Sequence, residues 1–292
     1  MITIRPAGDP RKLEPLTCRG SALEIELAGS TLHDVLVRRW LPAAEGQNLT
    51  ARSDFWPSAG LIEKIRQIRG GFSLRFQGQE VASSGTAGGT VIEPDADDGS
   101  FLIVYPWHLL RVNEEALSSV PEKIEGTVRE RVTVDGTLVL GAGSVILPGV
   151  YIEGIAVIGR NCKIGPNCYI RGTTCLADNC HVGQAVEIKN SILMHKVAAG
   201  HLSYIGDSII CPNTNFGAGT IISNFRHDGK NHRSMIDGDL VDTGRRKFGA
   251  ILGDGVHTGI HSAIYPGRKI WPGVSLRPGT VVRQDLVEEK LY

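Results

Sequence analysis

The sequence predicts a mainly β protein in which a parallel β-helix of six-residue repeats follows a small α/β domain. The first observation is a ladder of aliphatic residues at every sixth position: Val128, Val134, Leu140, Ile146, Ile152, Ile158, Ile164, Ile170, Leu176, Val182 and Ile188. A second ladder with the same step comprises Leu252, Thr258, Ile264, Ile270, Leu276 and Val282. A helix repeats every 3.6 residues and an ordinary strand every two, so neither explains this step. Hexapeptide repetition is typical of a β-helix, where each repeat is one short strand and a turn.

The chain before the ladder lacks the six-residue step, and we predict a domain boundary between residues 122 and 123. The elements expected in the first domain are two helices, a strand and a linking helix, at Thr31–Trp40, Gly60–Ile68, Phe101–Tyr105 and Trp107–Leu117. The β-helix domain is predicted over 123–292, with one interruption at 226–247 where the repeats stop. Loops that leave a rigid scaffold often carry function, so this excursion is a candidate functional segment.

Composition excludes several classes of function. Lys plus Arg and Asp plus Glu both number 31, which disfavours a nucleic-acid or membrane-surface binder. The N-terminus shows no signal peptide and no stretch approaches ~18 consecutive apolar residues, so we expect a cytoplasmic protein. The six cysteines form no close C-x-x-C pair. We therefore expect reduced cysteines that pack in the core, and no metal site.

Two cations are separated by one coil of the predicted β-helix. Arg171 and Lys189 each follow a rung of the ladder and lie 18 residues apart, which is three repeats. They should stack on one outer corner at a spacing of about 5 Å. Like charges at that distance repel, so a bound anion such as a phosphate would explain the pair. The alternative is two solvated side chains on an exposed wall.

The segments around these cations resemble a known family. Three runs resemble the acetyltransferase half of bacterial bifunctional enzymes that acetylate and then uridylylate glucosamine 1-phosphate: Val186–Asn190, Ala199–Asp207 and Asn215–Thr220. Two further runs are more similar to archaeal sugar-1-phosphate nucleotidyltransferase/acetyltransferases: Asp228–Lys230 and Asp242–Lys247. The resemblance covers about 105 to 285 and implies a left-handed β-helix.

The resemblance implies a role for each matching residue. His201 matches the catalytic base that takes a proton from the attacking amine, and Asn224 matches a residue that helps to polarise the acetyl-CoA thioester carbonyl. Sugar-phosphate contacts are implied at Arg171, Glu187, Lys189, Tyr204, Asn215 and Lys230. Acetyl-CoA contacts are implied at Ala218, Asn224, Phe225 and Ile260. The last two depart from the bacterial pattern, which has tyrosine and serine there.

The N-terminal segment resembles a shortened sugar-nucleotidyltransferase domain. Its relatives are much longer and open with a glycine-rich loop that holds the nucleotide phosphates. This chain opens Ile4-Arg-Pro-Ala-Gly8, without the paired glycines that let a backbone approach a triphosphate. We therefore expect no nucleotidyl transfer.

The leading hypothesis is an acetyl-CoA-dependent N-acetyltransferase that acts on glucosamine or galactosamine 1-phosphate, in UDP-N-acetylglucosamine biosynthesis. The resemblance implies a homotrimer, with active sites between neighbouring β-helices. One alternative is a sugar-1-phosphate nucleotidyltransferase or a bifunctional enzyme, which would require Mg²⁺. Another is a non-catalytic scaffold that uses the β-helix only for assembly.

Overall fold

The computed structural model describes residues 1–44, 46–85, 89–95 and 97–292. These residues form two compact units, one of Met1–Asp9 and Thr31–Val104 and the other of Pro10–Ser30 and Tyr105–Tyr292. The boundary expected at residue 122 differs from this division, because 10–30 and 105–122 lie in the second unit. The linking helix, α3 (His108–Leu117), is held there by side-chain contacts, such as the hydrogen bond from Asn113 Nδ2 to the Thr173 carbonyl at 3.1 Å.

The first unit is a five-stranded sheet with two α-helices. Helix α1 spans Leu32–Trp40 and helix α2 spans Ala59–Arg66, as the sequence predicts to within two residues. Each begins at a side-chain cap, with Thr31 Oγ1 accepting from the Asp34 amide and Ser58 Oγ from the Leu61 amide. The sheet runs in the order Ile2–Arg5, Leu49–Arg52, Gln79–Ser84, Phe72–Phe76 and Thr90–Ile92. The remaining short elements of the N-terminal third are Phe55–Trp56 paired with Phe101–Leu102, the strands Glu26–Leu27 and Ser30–Thr31, and the 3₁₀ helices Pro10–Leu13, Ala22–Glu24 and Leu41–Ala44.

The second unit is a left-handed parallel β-helix, which confirms the fold predicted from the repeats. Two of its faces share one 13-stranded sheet: Lys123–Ile124, Thr133–Leu140, Tyr151–Ile158, Tyr169–Leu176, Glu187–Lys189, Ile192–Leu193, Tyr204–Gly206, Ile209–Ile210, Ile221–Ile222, Ile251–Leu252, Ala263–Ile264, Lys269–Ile270 and Val281–Val282. The third face is formed by Thr127–Val128, Val145–Ile146, Lys163–Ile164, His181–Gln184, Ala198–His201 and Asn215–Phe216. We call the face that carries Tyr169–Arg171, Glu187–Lys189 and Tyr204–Gly206 the first face.

The coils become one residue shorter in the middle of the β-helix. Ile170 pairs with Ile188, a step of 18 residues, but Ile188 pairs with Ile205 and Ile205 with Ile222, steps of 17. The aliphatic side chains stay in register because the missing residue is taken from a corner. The six-residue count therefore stops at Ile188, although the coils continue beyond it.

The ladder residues fill the interior of the β-helix, except at its first coil. From Leu140 to Ile188 every rung is at most 1% exposed, and the second ladder from Leu252 to Val282 is buried throughout. The first two rungs are Val128 and Val134, which are 37% and 36% exposed. Five of the six cysteines are buried and, like the sixth, they are free thiols. None of the helices in the described part of the chain has the length and apolar character needed to span a bilayer.

The predicted excursion contains an antiparallel hairpin of Arg233–Ile236 and Asp239–Asp242. It leaves the β-helix after the strand Ile221–Ile222 and returns before Ile251–Leu252. After the excursion the parallel pairing of the coils continues in register, since Ile222 pairs with Ile264 of the next coil. His232 links the excursion to the segment that leaves the β-helix, with its Nε2 at 2.9 Å from the Asn224 carbonyl oxygen. Burial lowers the pKa of His232, which keeps this imidazole neutral.

Candidate active site

Arg171 and Lys189 are direct neighbours in successive coils of the first face, which confirms their predicted stacking. Each cation has a carboxylate partner. Arg171 Nε and Nη2 both lie 2.8 Å from Glu187 Oε1, and Lys189 Nζ lies 2.9 Å from Asp207 Oδ2. The repulsion that suggested an anion between them is thus relieved within the protein. An incoming phosphate would compete with Glu187, whose side chain is 32% exposed, more readily than with the buried Asp207.

Asp207 connects the site internally, and our sequence reasoning did not single it out. Its side chain is 2% exposed and accepts from Lys189 Nζ at 2.9 Å, Asn224 Nδ2 at 2.6 Å and Asn190 Nδ2 at 3.1 Å. A carboxylate buried this deeply is stable only when such donors replace water. One signal for it lies in the sequence, since the run Ser203-Tyr-Ile-Gly-Asp207 ends a segment that carries the family resemblance.

Tyr204 and Asn224 complete a set of side chains joined by hydrogen bonds, which we call the connected group: Lys189, Asn190, Tyr204, Asp207 and Asn224. Asn224 is 8% exposed, and its Nδ2 also donates to the Tyr204 hydroxyl at 2.9 Å. Burial raises the pKa of Tyr204, with the negative charges of Glu187 and Asp207 adding to the effect. The phenol therefore stays protonated and is available as a hydrogen-bond donor toward the open side of the site.

Further hydrogen bonds, through Glu114, hold Asn190 of this group in place. Asn190 Nδ2 also donates to Glu114 Oε1 of helix α3 at 2.8 Å. The same carboxylate oxygen receives Arg245 Nη2, from the end of the excursion, at 2.5 Å. Through Glu114 the linking helix and the excursion both hold Asn190, which in turn holds Asp207. The position of the Asp207 carboxylate is thus fixed by three parts of the second unit.

His201 lies at the end of the strand Ala198–His201, three residues before Tyr204. Its carbonyl oxygen accepts from Ser203 Oγ at 2.9 Å and from the Gly219 amide at 3.3 Å, so the backbone is fixed. The side chain is exposed and forms no hydrogen bond with any described residue. An imidazole held in this way has both ring nitrogens open to a substrate.

The other predicted residues lie outside the connected group. Asn215 is exposed and pairs through Ala198 with the strand of His201, and the Ala218 carbonyl accepts from the His261 amide at 2.8 Å. Phe225 and Ile260 are 41% and 50% exposed, and Lys247 Nζ lies 3.9 Å from the centre of the Phe225 ring. Lys230 is exposed on the excursion. Within the described residues, no hydrogen bond or ion pair joins the side chains of these residues to the connected group.

The site contains no arrangement suited to a resident metal. Within the ranges that the structure describes, no group of three or more His, Cys, Asp or Glu side chains could hold a metal ion. What the arrangement offers is a pair of cations, a phenol and a free imidazole on neighbouring coils. These groups can bind a phosphate and accept a proton.

Comparison with known proteins identifies relatives of the β-helix. Residues 152–272 match the model of the GMPPB C-terminal domain. A bifunctional sugar-1-phosphate nucleotidylyltransferase/acetyltransferase of Sulfurisphaera tokodaii is 41% identical over 182 residues, which is 62% of this chain and 45% of that protein. A bifunctional protein GlmU of Methanococcus maripaludis strain C7 is 47% identical over 184 residues, 63% of this chain and 44% of that protein. The chain thus spans less than half the length of these relatives.

A solved structure is also similar at low level. A putative acetyltransferase of Bacillus cereus aligns over 51% of this chain and 70% of its own chain at 20% identity. Its TM-score is 0.29.

The relatives bear on the expectation that this chain lacks nucleotidyl transfer. The name of the Sulfurisphaera tokodaii protein includes two activities, nucleotidylyl transfer and acetyl transfer. The expectation, which rested on the missing glycine pair, is therefore not borne out. The resemblance itself is confirmed: over about 60% of its length, 62% and 63% in the two comparisons above, the chain resembles the archaeal bifunctional sugar-1-phosphate nucleotidylyltransferase/acetyltransferases.

Proposed function

We propose that the chain is an acetyl-CoA-dependent N-acetyltransferase that acts on an amino-sugar 1-phosphate, either glucosamine or galactosamine 1-phosphate. The observation that carries the proposal is the set of Arg171, Lys189 and Tyr204 on successive coils of the first face, together with the His201 imidazole, which forms no hydrogen bond with a described residue. The names of the relatives support both the acetyl group and the sugar 1-phosphate. A non-catalytic scaffold would have no use for these residue types at these positions.

The sugar phosphate would bind at the two cations. Arg171 presents a planar fork that suits a phosphate, and Lys189 adds a second positive charge one coil away. As the phosphate displaces Glu187 from Arg171, the freed carboxylate can accept hydrogen bonds from the sugar hydroxyl groups. The Tyr204 hydroxyl donates a hydrogen bond to the substrate. Asn215 and Lys230 are proposed as further contacts of the substrate.

His201 would act as the general base. The substrate reacts as the neutral amine, because an ammonium has no lone pair with which to attack a thioester. The amine nitrogen then loses one proton as it bonds to the acetyl carbon. The imidazole of His201 takes that proton and returns it to the departing CoA thiolate, which leaves the enzyme unchanged. Imidazole changes its charge near neutral pH and can therefore perform both steps.

The acetyl-CoA side of the site is proposed at Ala218, Asn224, Phe225 and Ile260. Asn224 could polarise the thioester carbonyl only if its side-chain amide released Tyr204 or Asp207, since its Nδ2 already donates to both. Phe225 and Ile260 offer exposed apolar surface to the pantetheine arm. No step of the proposed reaction requires a metal ion.

The experiment is a measurement of thiol release from acetyl-CoA with glucosamine 1-phosphate and with galactosamine 1-phosphate. We expect turnover with at least one sugar, and a loss of about 10²–10⁴-fold in the His201→Ala variant, as for removal of a general base. The matched control is His33→Ala, which removes an exposed histidine of helix α1 and should leave the rate unchanged. Absence of thiol release with both sugars would contradict the proposal and favour a scaffold.

A second candidate is nucleotidyl transfer, because the name of the Sulfurisphaera tokodaii relative includes it. Pyrophosphate release from UTP with N-acetylglucosamine 1-phosphate and Mg²⁺ tests it directly. Activity here together with thiol release would make the chain bifunctional.

A further inference from the structure

The excursion and the last coils of the β-helix form a strongly cationic cleft. Two cavities, of about 560 Å³ and about 240 Å³, share Arg226 and Arg233 in their walls and are therefore adjacent. Six cations line them, which we call the excursion cleft: Arg226, Lys230, Arg233, Arg246, Arg268 and Arg283. The only carboxylate among the lining residues is Asp242.

Most of this positive charge is not neutralised by the protein. Arg226 pairs with Asp228 at 2.6 Å, and Arg268 lies 3.9 Å from Asp285. The other four cations, Lys230, Arg233, Arg246 and Arg283, form no ion pair with any described residue. All four are exposed. Cations gathered in one concavity repel each other and raise the local concentration of anions, so the cleft favours an anionic ligand.

Two of the six cations are held in place by hydrogen bonds to the backbone. Arg246 Nε donates to the Gly229 carbonyl at 3.0 Å, and Arg268 Nη2 donates to the Arg233 carbonyl at 3.4 Å. Arg233 itself lies on the paired strand Arg233–Ile236. Guanidinium groups fixed in this way can bind phosphate oxygens in pairs, with less loss of side-chain entropy than free lysines.

We propose that the excursion cleft binds an oligophosphate, a ligand separate from the sugar phosphate at Arg171 and Lys189. Lys230, proposed above as a contact of the sugar phosphate, would be shared by the two sites. Five of the six cations are arginines, the residue that suits phosphate geometry best. A single phosphate would leave most of the six charges unmatched, whereas a di- or triphosphate spans several of them. The concave shape and small volume fit a small molecule better than a nucleic acid, and the balanced charge of the whole chain agrees. The oligophosphate could be that of a free nucleotide or that of CoA.

The test is calorimetric titration of the full chain with sodium tripolyphosphate. We expect saturable binding that weakens as salt is added. Arg233→Ser and Arg283→Ser should each weaken it about tenfold, the value of one charge-assisted hydrogen bond. Asp242→Asn removes the lining carboxylate and should strengthen binding, a result that misfolding cannot imitate.

The control is Arg129→Ser, which removes an exposed arginine from the first coil of the β-helix and should leave binding unchanged. Equal losses in Arg129→Ser and Arg283→Ser, or no binding by the unaltered protein, would overturn the proposal. Parallel titrations with UTP and CoA identify the carrier, because only the ligand that uses the cleft should lose affinity in Arg283→Ser. Tripolyphosphate binding is measured without acetyl transfer, so the cleft and the acetyltransferase can fail separately.

Discussion

Asp207 illustrates how one side chain can organise a site without facing a substrate. Its carboxylate is almost fully buried, and it holds Lys189, Asn190 and Asn224 at once. Because Asn224 also donates to the Tyr204 hydroxyl, Asp207 fixes the position of the phenol indirectly, through Asn224. We therefore regard Asp207 as a positioning residue of the proposed sugar-phosphate site.

The Asp207→Asn variant should be strongly destabilised. The substitution preserves shape but removes the charge that balances Lys189, and it presents an amide donor to other donors. Breaking a buried, hydrogen-bonded ion pair costs about 3 kcal/mol, to be measured by urea denaturation. Asp178→Asn is the matched control, because Asp178 pairs with Arg160 at 2.8 Å on the exposed wall and should matter little. Similar losses in the two variants would show that Asp207 has no special role.

Sequence reasoning missed Asp207 for a physical reason. Its partners come from both neighbouring coils: Lys189 lies 18 residues before it, Asn190 lies 17 residues before it and Asn224 lies 17 residues after it. The residues that become neighbours in successive coils depend on the number of residues in each coil. That number changes from 18 to 17 within the segment that contains Asp207. The stacking of Arg171 and Lys189 could be predicted because it falls where the six-residue count still holds.

At the level of the element, the coils are packed so closely that a glycine is required where two backbones approach. A Cβ added to Gly183 would lie 1.9 Å from the Gly200 carbonyl oxygen of the next coil. At Gly200 itself the same atom would meet nothing within 4 Å. Both residues have ordinary negative backbone angles, since neither is among the positive-φ residues. The difference between them is thus steric alone.

We expect Gly183→Ala to lower the free energy of unfolding by about 2 kcal/mol, because the backbone of one coil must move. Gly200→Ala should be neutral or slightly stabilising, since alanine has less conformational freedom to lose on folding. Thermal and urea unfolding of the two variants provide the measurement. A neutral Gly183→Ala would mean that the coils separate more easily than their spacing suggests.

The elements were also the level at which sequence reasoning succeeded best. Helix α3 and the inward rungs follow from local periodicity, which tertiary contacts only reinforce. The exposure of Val128 and Val134 could not be predicted from this local periodicity. A rung points inward whatever its position, but it is buried only if a coil lies on both sides of it.

At the scale of the whole molecule, we propose that the active site is shared between neighbouring chains. His201 and Asn215 have open side chains, and apolar residues around them, such as Leu202 and Ile221, are 60% and 44% exposed. We propose that these surfaces meet in a homotrimer. The expectation from the resemblance is that each site lies between two β-helices, which would place an acetyl-CoA contact opposite the imidazole.

Light scattering of the purified chain should give three times the mass of one chain. Leu202→Asp places a charge in the proposed interface and should shift the mass toward that of a single chain. Leu41→Asp, at an equally exposed leucine beyond helix α1, is the control and should remain trimeric. A single-chain mass for the unaltered protein would exclude the shared site.

The return of the chain after the excursion has a consequence for folding. Ile222 and Ile264 are partners although 42 residues separate them, against 18 for Ile170 and Ile188. Loop-closure entropy grows only with the logarithm of loop length, so closing the longer segment costs only about 0.7 kcal/mol more. That is less than one ordinary hydrogen bond contributes. The β-helix can therefore carry a segment longer than one of its coils at almost no thermodynamic cost, which leaves the sequence of that segment free to change with the ligand it meets.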